Sequence, residues 1–128
     1  MDTAKAPVDT TLLSVEDYAG PGQALAEALG IGHALLAEHR FPDGESLVTL
    51  PPQPGSRLLV YCSLDRPNER LVPLLLALHG LREAGVRWIG LVAPYLAYMR
   101  QDAAFHPGEV VSQRIIASLL AAPIDALW

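Results

Sequence analysis

The sequence predicts an α/β domain with a mostly parallel sheet and helices on both faces. Three observations carry that expectation. Apolar runs such as TLLSV, RLLVYCS and WIGLVA recur along the 128 residues, and near-continuous apolar strands mark a sheet buried on both sides. Between them lie stretches with helical spacing, and strand–helix alternation is the pattern of parallel crossovers. Polar residues gather directly after the apolar runs, where open α/β sheets hold their ligands. A chain of 128 residues supports one domain with a real core, not two.

Residues 1–10 read as a flexible lead-in, with the domain running from 11 to 128. Thr11 to Val15 is a short strand. Gln23 to Leu29 carries Leu25, Ala28 and Leu29 at helical spacing, and Gly30 is placed to end that helix. Ala34 to Glu38 and Ser46 to Leu50 are strand candidates, so that residues 35–50 form a short flap or hairpin inserted in the parallel pattern. Pro51 to Gly55 lacks most of its backbone donors and has to be a turn.

Arg57 to Ser63 is the next strand. Asn68 to Ala84 is the clearest helix, with Leu71, Leu74, Leu75, Leu78 and Leu81 on one face, Asn68 as its cap and Gly85 at its close. Pro73 is expected to delay its start or bend it. Trp88 to Ala93 is a strand stopped by Pro94. Ser112 caps a helix through Ala121 whose stripe is Ile115, Ile116, Leu119 and Leu120. Ile124 to Trp128 begins another strand, which leads us to expect further protein after it.

Hydrophobic residues make up 51 % and charged ones 18 %, with mean hydropathy +0.26. That balance suggests an oligomer face or a partner domain. A net charge of −5 argues against a nucleic-acid or anionic-membrane footprint, which needs clustered Lys and Arg. Cys62 is the only cysteine, so no internal disulfide forms; it reads as a buried, inert thiol in a reducing cytoplasm. The N-terminus shows no basic-then-apolar leader, and no apolar run reaches the ~18–20 residues of a membrane span. The expectation is a soluble, cytoplasmic protein.

Two stretches carry chemistry. YLAYMRQD, Tyr95 to Asp102, follows the strand 88–93. Arg100 offers a planar fork of donors for phosphate or carboxylate, and Gln101 a donor and an acceptor for a base or sugar edge; an ordinary loop is the alternative. FPDGE, Phe41 to Glu45, is turn chemistry around Asp43 and Gly44. It is either a plain hairpin turn or a base pocket, in which Phe41 stacks on a purine and carboxylate or backbone oxygens accept from its amine. Asp65 and Asn68 follow a strand end and precede a helix, which makes them candidates to line the same crevice, although capping accounts for Asn68. His106 and Glu109 are candidates for a metal or phosphate, or merely a loop. His33, His39 and His79 have no ligand spacing with one another or with Cys62, which leaves no metal site. Dinucleotide, P-loop, nucleophile-elbow and CxxC signatures are absent from the sequence.

FPDGE, DRPNERLVPLLLALHGLREAG, LVAPYLAYMRQD and PGEVVSQRIIASLL together resemble, in the family's own order, the N-terminal half of ribose-phosphate pyrophosphokinases. The resemblance implies a phosphoribosyltransferase-like fold and a role in nucleotide biosynthesis. The implied reaction moves pyrophosphate from Mg-ATP to ribose 5-phosphate, giving phosphoribosyl pyrophosphate and AMP. It implies that Phe41, Asp43, Gly44 and Glu45 hold the adenine of ATP, that Arg100 and Gln101 also contact ATP, and that a homo-oligomer shares the site between subunits. It places the Mg²⁺ ligands beyond Trp128 and no catalytic residue within the chain, which by itself is expected to be inactive. Ala103 and Ala104 stand where most relatives carry a basic pair, removing charge near the triphosphate. The alternative is a non-catalytic, nucleotide-binding regulatory subunit or pseudoenzyme of the same family.

Overall fold

A computed structural model describes residues 9–128. Its elements are β1 (Thr10–Val15), a 3₁₀ turn (Glu16–Tyr18), α1 (Ala19–Leu29), β2 (Gly32–Arg40), β3 (Ser46–Thr49), β4 (Arg57–Tyr61), α2 (Pro67–Glu83), β5 (Trp88–Val92), α3 (Ser112–Ala121) and β6 (Ala126–Leu127). They form one six-stranded sheet in the order β3-β2-β1-β4-β5-β6. All pairings are parallel except β2 with β3. The expected flap is that antiparallel pair. β1 begins one residue earlier than expected, at the buried Thr10; residues 1–8 of the lead-in lie outside the described residues.

Each inner strand is buried on both faces, as its apolar run requires. Leu13, Leu58, Val60, Ile89 and Leu91 face α2 and α3 in the main core with Leu74, Leu78, Leu81 and Leu120. Leu12 and Leu59 face the other way, against Ala26 of α1. α1 lies close to β1 because Gly22 has no side chain: a Cβ there would stand 2.7 Å from the Ser14 Cβ. The buried Ser14 hydroxyl is satisfied by His33 Nε2 at 2.7 Å. Beyond α1 this face is closed by aromatic rings. Trp88 and Trp128 meet over Gly90, where a Cβ would come within 2.8 Å of both.

The helix ends follow local chemistry, with two corrections. α2 starts on Pro67, whose fixed φ suits the first helical position and whose missing N–H costs nothing there. Asn68 is therefore inside the first turn and makes no cap bond. Ser112 likewise is the first residue of α3, after Val111, and its hydroxyl caps nothing. α2 closes as expected at Gly85, left-handed at φ 93°. Gly85 N–H donates to Arg82 and Val86 N–H to Leu81, both at 3.0 Å, which satisfies carbonyls the helix leaves open.

Pro73 neither delays nor breaks α2; it is buried within an unbroken helix. Burial of its ring offsets the hydrogen bond lost at the Glu69 carbonyl. The α3 stripe is divided. Ile116 and Leu120 pack inward, whereas Ile115 and Leu119 are 52 % and 45 % exposed and border an open groove with Val110 and His79.

One polar clip joins the end of α2 to the edge strand. The Arg82 guanidinium donates to the carbonyls of Pro123, Val86 and Arg87 and to Asp125 Oδ2 at 2.5 Å. Asp125 Oδ2 also accepts from Ile89 N–H at 2.8 Å. The Ile89 N–H, and then the guanidinium, hold the Asp125 carboxyl below its ordinary value.

This packing has two measurable consequences. A carboxyl depressed in the folded state stabilises above its unfolded pKa, and that contribution is lost as pH falls through the folded value. Asp125→Asn is expected to cost about 1 kcal/mol near neutral pH, a figure kept small because the carboxylate is 38 % exposed. The difference from the parent should close below about pH 4 when both are unfolded with urea across a pH series. Cys62 is 1 % exposed, and burial pushes its thiol up to about 11. An aromatic disulfide reagent at about pH 8 should therefore leave the folded chain unlabelled and label it once urea is added.

Candidate functional site

The parallel strands bring their carboxyl ends to a single edge, and both sequence motifs stand there. β5 feeds the Arg100 loop. The β4–β5 ladder continues past the strands through Cys62 N–H to Val92 O (3.0 Å) and Leu64 N–H to Tyr95 O (2.9 Å). Further on, Tyr98 adopts φ 62°, the only non-glycine at positive φ among the described residues. A bulky side chain there costs on the order of 1–3 kcal/mol and persists only where its surroundings impose it. The Tyr98 ring packs on the core, and its hydroxyl donates to Asn68 Oδ1 in the first turn of α2. Asn68 thus serves a contact 30 residues away in sequence rather than its own helix.

Downstream, Gln113 N–H donates to Gln101 O at 3.3 Å, and the Gln113 amide reaches Met99 Sδ at 3.5 Å. The Gln101 amide donates one N–H to the Ala103 carbonyl at 2.6 Å, which leaves its oxygen and its second N–H for a ligand. Arg100 lies between these ties. It is exposed, and among the described residues no hydrogen bond or ion pair engages its guanidinium.

The FPDGE motif forms the tip of the β2–β3 hairpin. Phe41 N–H donates to Glu45 O (2.8 Å), Gly44 N–H to Phe41 O (2.9 Å), and Glu45 N–H to Asp43 Oδ1 (2.9 Å). Gly44 sits at φ 95°, which a side chain would strain. Asp43 therefore holds the turn, and the Glu45 carboxylate is exposed. Phe41 is 41 % exposed and meets the His39 ring edge-on at 4.8 Å. The last β1 partner of β2 is Leu36, whereas pairing with β3 runs on to Arg40. The hairpin hence projects about 13 Å past the ordered edge of β1. β2 and β5 are separated by β1 and β4, an interval of about 14 Å across the sheet.

Between the two motifs, at the ends of β1 and β4, stands a cluster that local sequence patterns largely conceal. Arg70 is paired with Asp17 and lies 5.1 Å over the Tyr18 ring, while the Tyr18 hydroxyl donates to Asp65. Burial and the bond to Asp65 raise the Tyr18 pKa; that same bond lowers the Asp65 pKa. Arg70 and Asp17 face a recess of about 120 Å³ that Glu16, Glu38 and Arg40 also line. The signal available in sequence was position alone: this is the switch point of the strand order, where open sheets form a crevice.

The remaining candidates are structural. Glu109 Oε1 accepts from the backbone N–H groups of Phe105 (2.9 Å) and His106 (2.6 Å) and so organises its own turn, with the His106 ring 82 % exposed. Among the described residues there is no group of three His, Cys, Asp or Glu side chains fit to hold a metal ion. Nor is any helix among them long and apolar enough to cross a membrane.

Comparison with known proteins adds the family. The family model described as the N-terminal domain of ribose phosphate pyrophosphokinase matches residues 10–123. The chain is 42 % identical over 107 residues to the ribose-phosphate pyrophosphokinase of Methanopyrus kandleri, covering 83 % of this chain and 37 % of that protein. It is 37 % identical over 115 residues to that of Halobacterium salinarum, covering 89 % of this chain and 41 % of the relative. The chain therefore spans about two fifths of the length of these curated relatives. The phosphoribosylpyrophosphate synthetase of Mycobacterium smegmatis shares the fold, with TM-score 0.73 at 22 % identity over 92 % of this chain and 41 % of that one. With the fold, the order of the motifs and the matched span in agreement, the chain belongs to the ribose-phosphate pyrophosphokinase family, of which it carries the N-terminal domain.

Proposed function

We propose that this chain supplies the ATP-binding elements of a ribose-phosphate diphosphokinase, which transfers pyrophosphate from Mg-ATP to ribose 5-phosphate. Arg100 and Gln101 take the phosphate end of the nucleotide. The guanidinium fork bonds two phosphate oxygens at once and neutralises charge there, while the Gln101 oxygen accepts from the sugar or an ordered water. Phe41 stacks on the purine, and the Glu45 carboxylate or a carbonyl of the turn accepts from its exocyclic amine. Asp43 and Gly44 hold the turn that presents them. Mg²⁺ would come bound to the ATP substrate and would offset part of the triphosphate charge. This chain's residues position the donor, and in phosphoryl transfer positioning and electrostatic stabilisation supply nearly all of the catalysis.

The observation that carries this reading is the separation of the two motifs. Phe41 and Arg100 stand at one sheet edge yet on opposite arms of the strand order, with the hairpin projecting outward. A tip that leaves its own crevice is suited to complete the crevice of a second copy. We therefore place the purine end of each site on one subunit and the phosphate end on its neighbour, in a homo-oligomer.

Subunit mixing tests this. In the protein that carries this chain, Asp43→Ala removes the acceptor that closes the turn, and Arg100→Ala removes the phosphate fork; each variant alone should be inactive. If sites are shared, a mixed pair contains one doubly damaged site and one intact site. Exchange between the two variants should then restore about a quarter of the parental activity. No recovery, with exchange verified by mass, would place both motifs in the same chain's site.

A further inference from the structure

Resting on the reading that Arg100 meets the phosphates, we propose that Tyr98 is a positioning residue for the nucleotide site. On this proposal, its left-handed backbone, latched to α2 through Asn68, aims the Arg100 fork. The chain turns sharply two residues before Arg100, at a residue type that disfavours φ 62°. Nothing local in the sequence rewards that conformation; it is imposed from outside. The ring is packed on the core, and the hydroxyl is held by Asn68 Oδ1. On the far side of Arg100, Gln101 O is tied to Gln113 N–H. The guanidinium itself has no partner among the described residues.

The arrangement is a fixed backbone carrying a free cation, which is what a preorganised anion receptor requires. Asn68 makes sense in the same terms. It sits in the first turn of α2 without capping it, so its amide oxygen is available to the tyrosine. When the hydroxyl is removed, residue 98 is free to relax toward ordinary φ, and the loop spends part of its time with Arg100 aimed elsewhere. Apparent affinity then falls in proportion to the fraction of molecules still competent.

The test is a double-mutant cycle on the protein that carries this chain, titrated calorimetrically with the Mg²⁺ complex of a non-hydrolysable ATP analogue. Tyr98→Phe keeps the ring and Asn68→Ala keeps the helix, so both should fold with melting temperatures close to the parent. Each is expected to weaken binding about tenfold, or ~1.4 kcal/mol. The two together should cost no more than either alone. In an Arg100→Ala background, Tyr98→Phe should have no further effect, because the residue it aims is gone.

A purely structural Tyr98 would instead lower the melting temperature and keep its full tenfold effect without Arg100; that result overturns the proposal. Unchanged binding in Tyr98→Phe overturns it as well. If Arg100→Ala leaves the affinity intact, the nucleotide reading of Arg100 fails. The crystal structure of Tyr98→Phe then decides the latch by itself. A residue 98 that has left the left-handed region, with Arg100 displaced, supports the latch, and an unaltered loop refutes it.

Discussion

The constraint on which this domain depends is the reversal at β1. β1 lies between β2 and β4 and runs parallel to both. From it the chain first passes through α1 to β2 and the hairpin, then returns and builds outward the other way through β4, α2 and β5. Parallel pairing sends every carboxyl end to the same edge, so both functional stretches stand on one side of the molecule. The reversal separates them. The hairpin beyond β2 and the loop beyond β5 cannot close on each other without leaving the sheet that carries them.

The two stretches differ in how they are held, and the difference suits their proposed roles. The hairpin is a self-contained turn. Its bonds are local, its glycine supplies the positive φ, and Val48 and Leu50 at its base reach the core while its tip does not. The Arg100 loop is held from outside, by Leu64 of the segment after β4 at Tyr95, by α2 at Tyr98 and by α3 at Gln101. A projecting tip fits a partner's site. A loop bound on three sides keeps a charge in place while the group it meets comes and goes. Alanine at 103 and 104 agrees with this division: neither carries a side-chain charge, and the Ala103 carbonyl receives the Gln101 amide.

Much of this was legible in the sequence, for a physical reason. Apolar runs that must be buried on both faces identify β1, β4 and β5, and the glycines after α1 and α2 end those helices because their carbonyl-satisfying bonds are local. FPDGE was legible as a turn on the same grounds. The failures share a different cause. Asn68 has a capping residue's chemistry but answers to Tyr98, and no local pattern announces a left-handed tyrosine. Pro73 looks like a break until its ring is seen buried. Ile115 and Leu119 belong to a stripe wider than the face that the sheet covers. The Arg70, Asp17 and Tyr18 cluster is brought together only by strand order. Local chemistry was readable; partners chosen by tertiary structure were not. The order of the four motifs pointed to the family, which local chemistry alone did not.

The central claim is that the hairpin tip and the Arg100 loop of one chain stay apart when nucleotide binds. Spin labels at Leu47→Cys and Asp102→Cys, in a Cys62→Ser background, measure that separation by pulsed electron resonance. Labelled chains are diluted into unlabelled protein so that only distances within a chain are read. Leu47 lies on β3, four strand spacings from β5, so the two strands alone stand about 19 Å apart across the sheet. The account predicts the same distance with and without the Mg²⁺ complex of a non-hydrolysable ATP analogue at saturation. A collapse of the intrachain distance to below about 15 Å, which the sheet spacing forbids without the hairpin folding back, would contradict it.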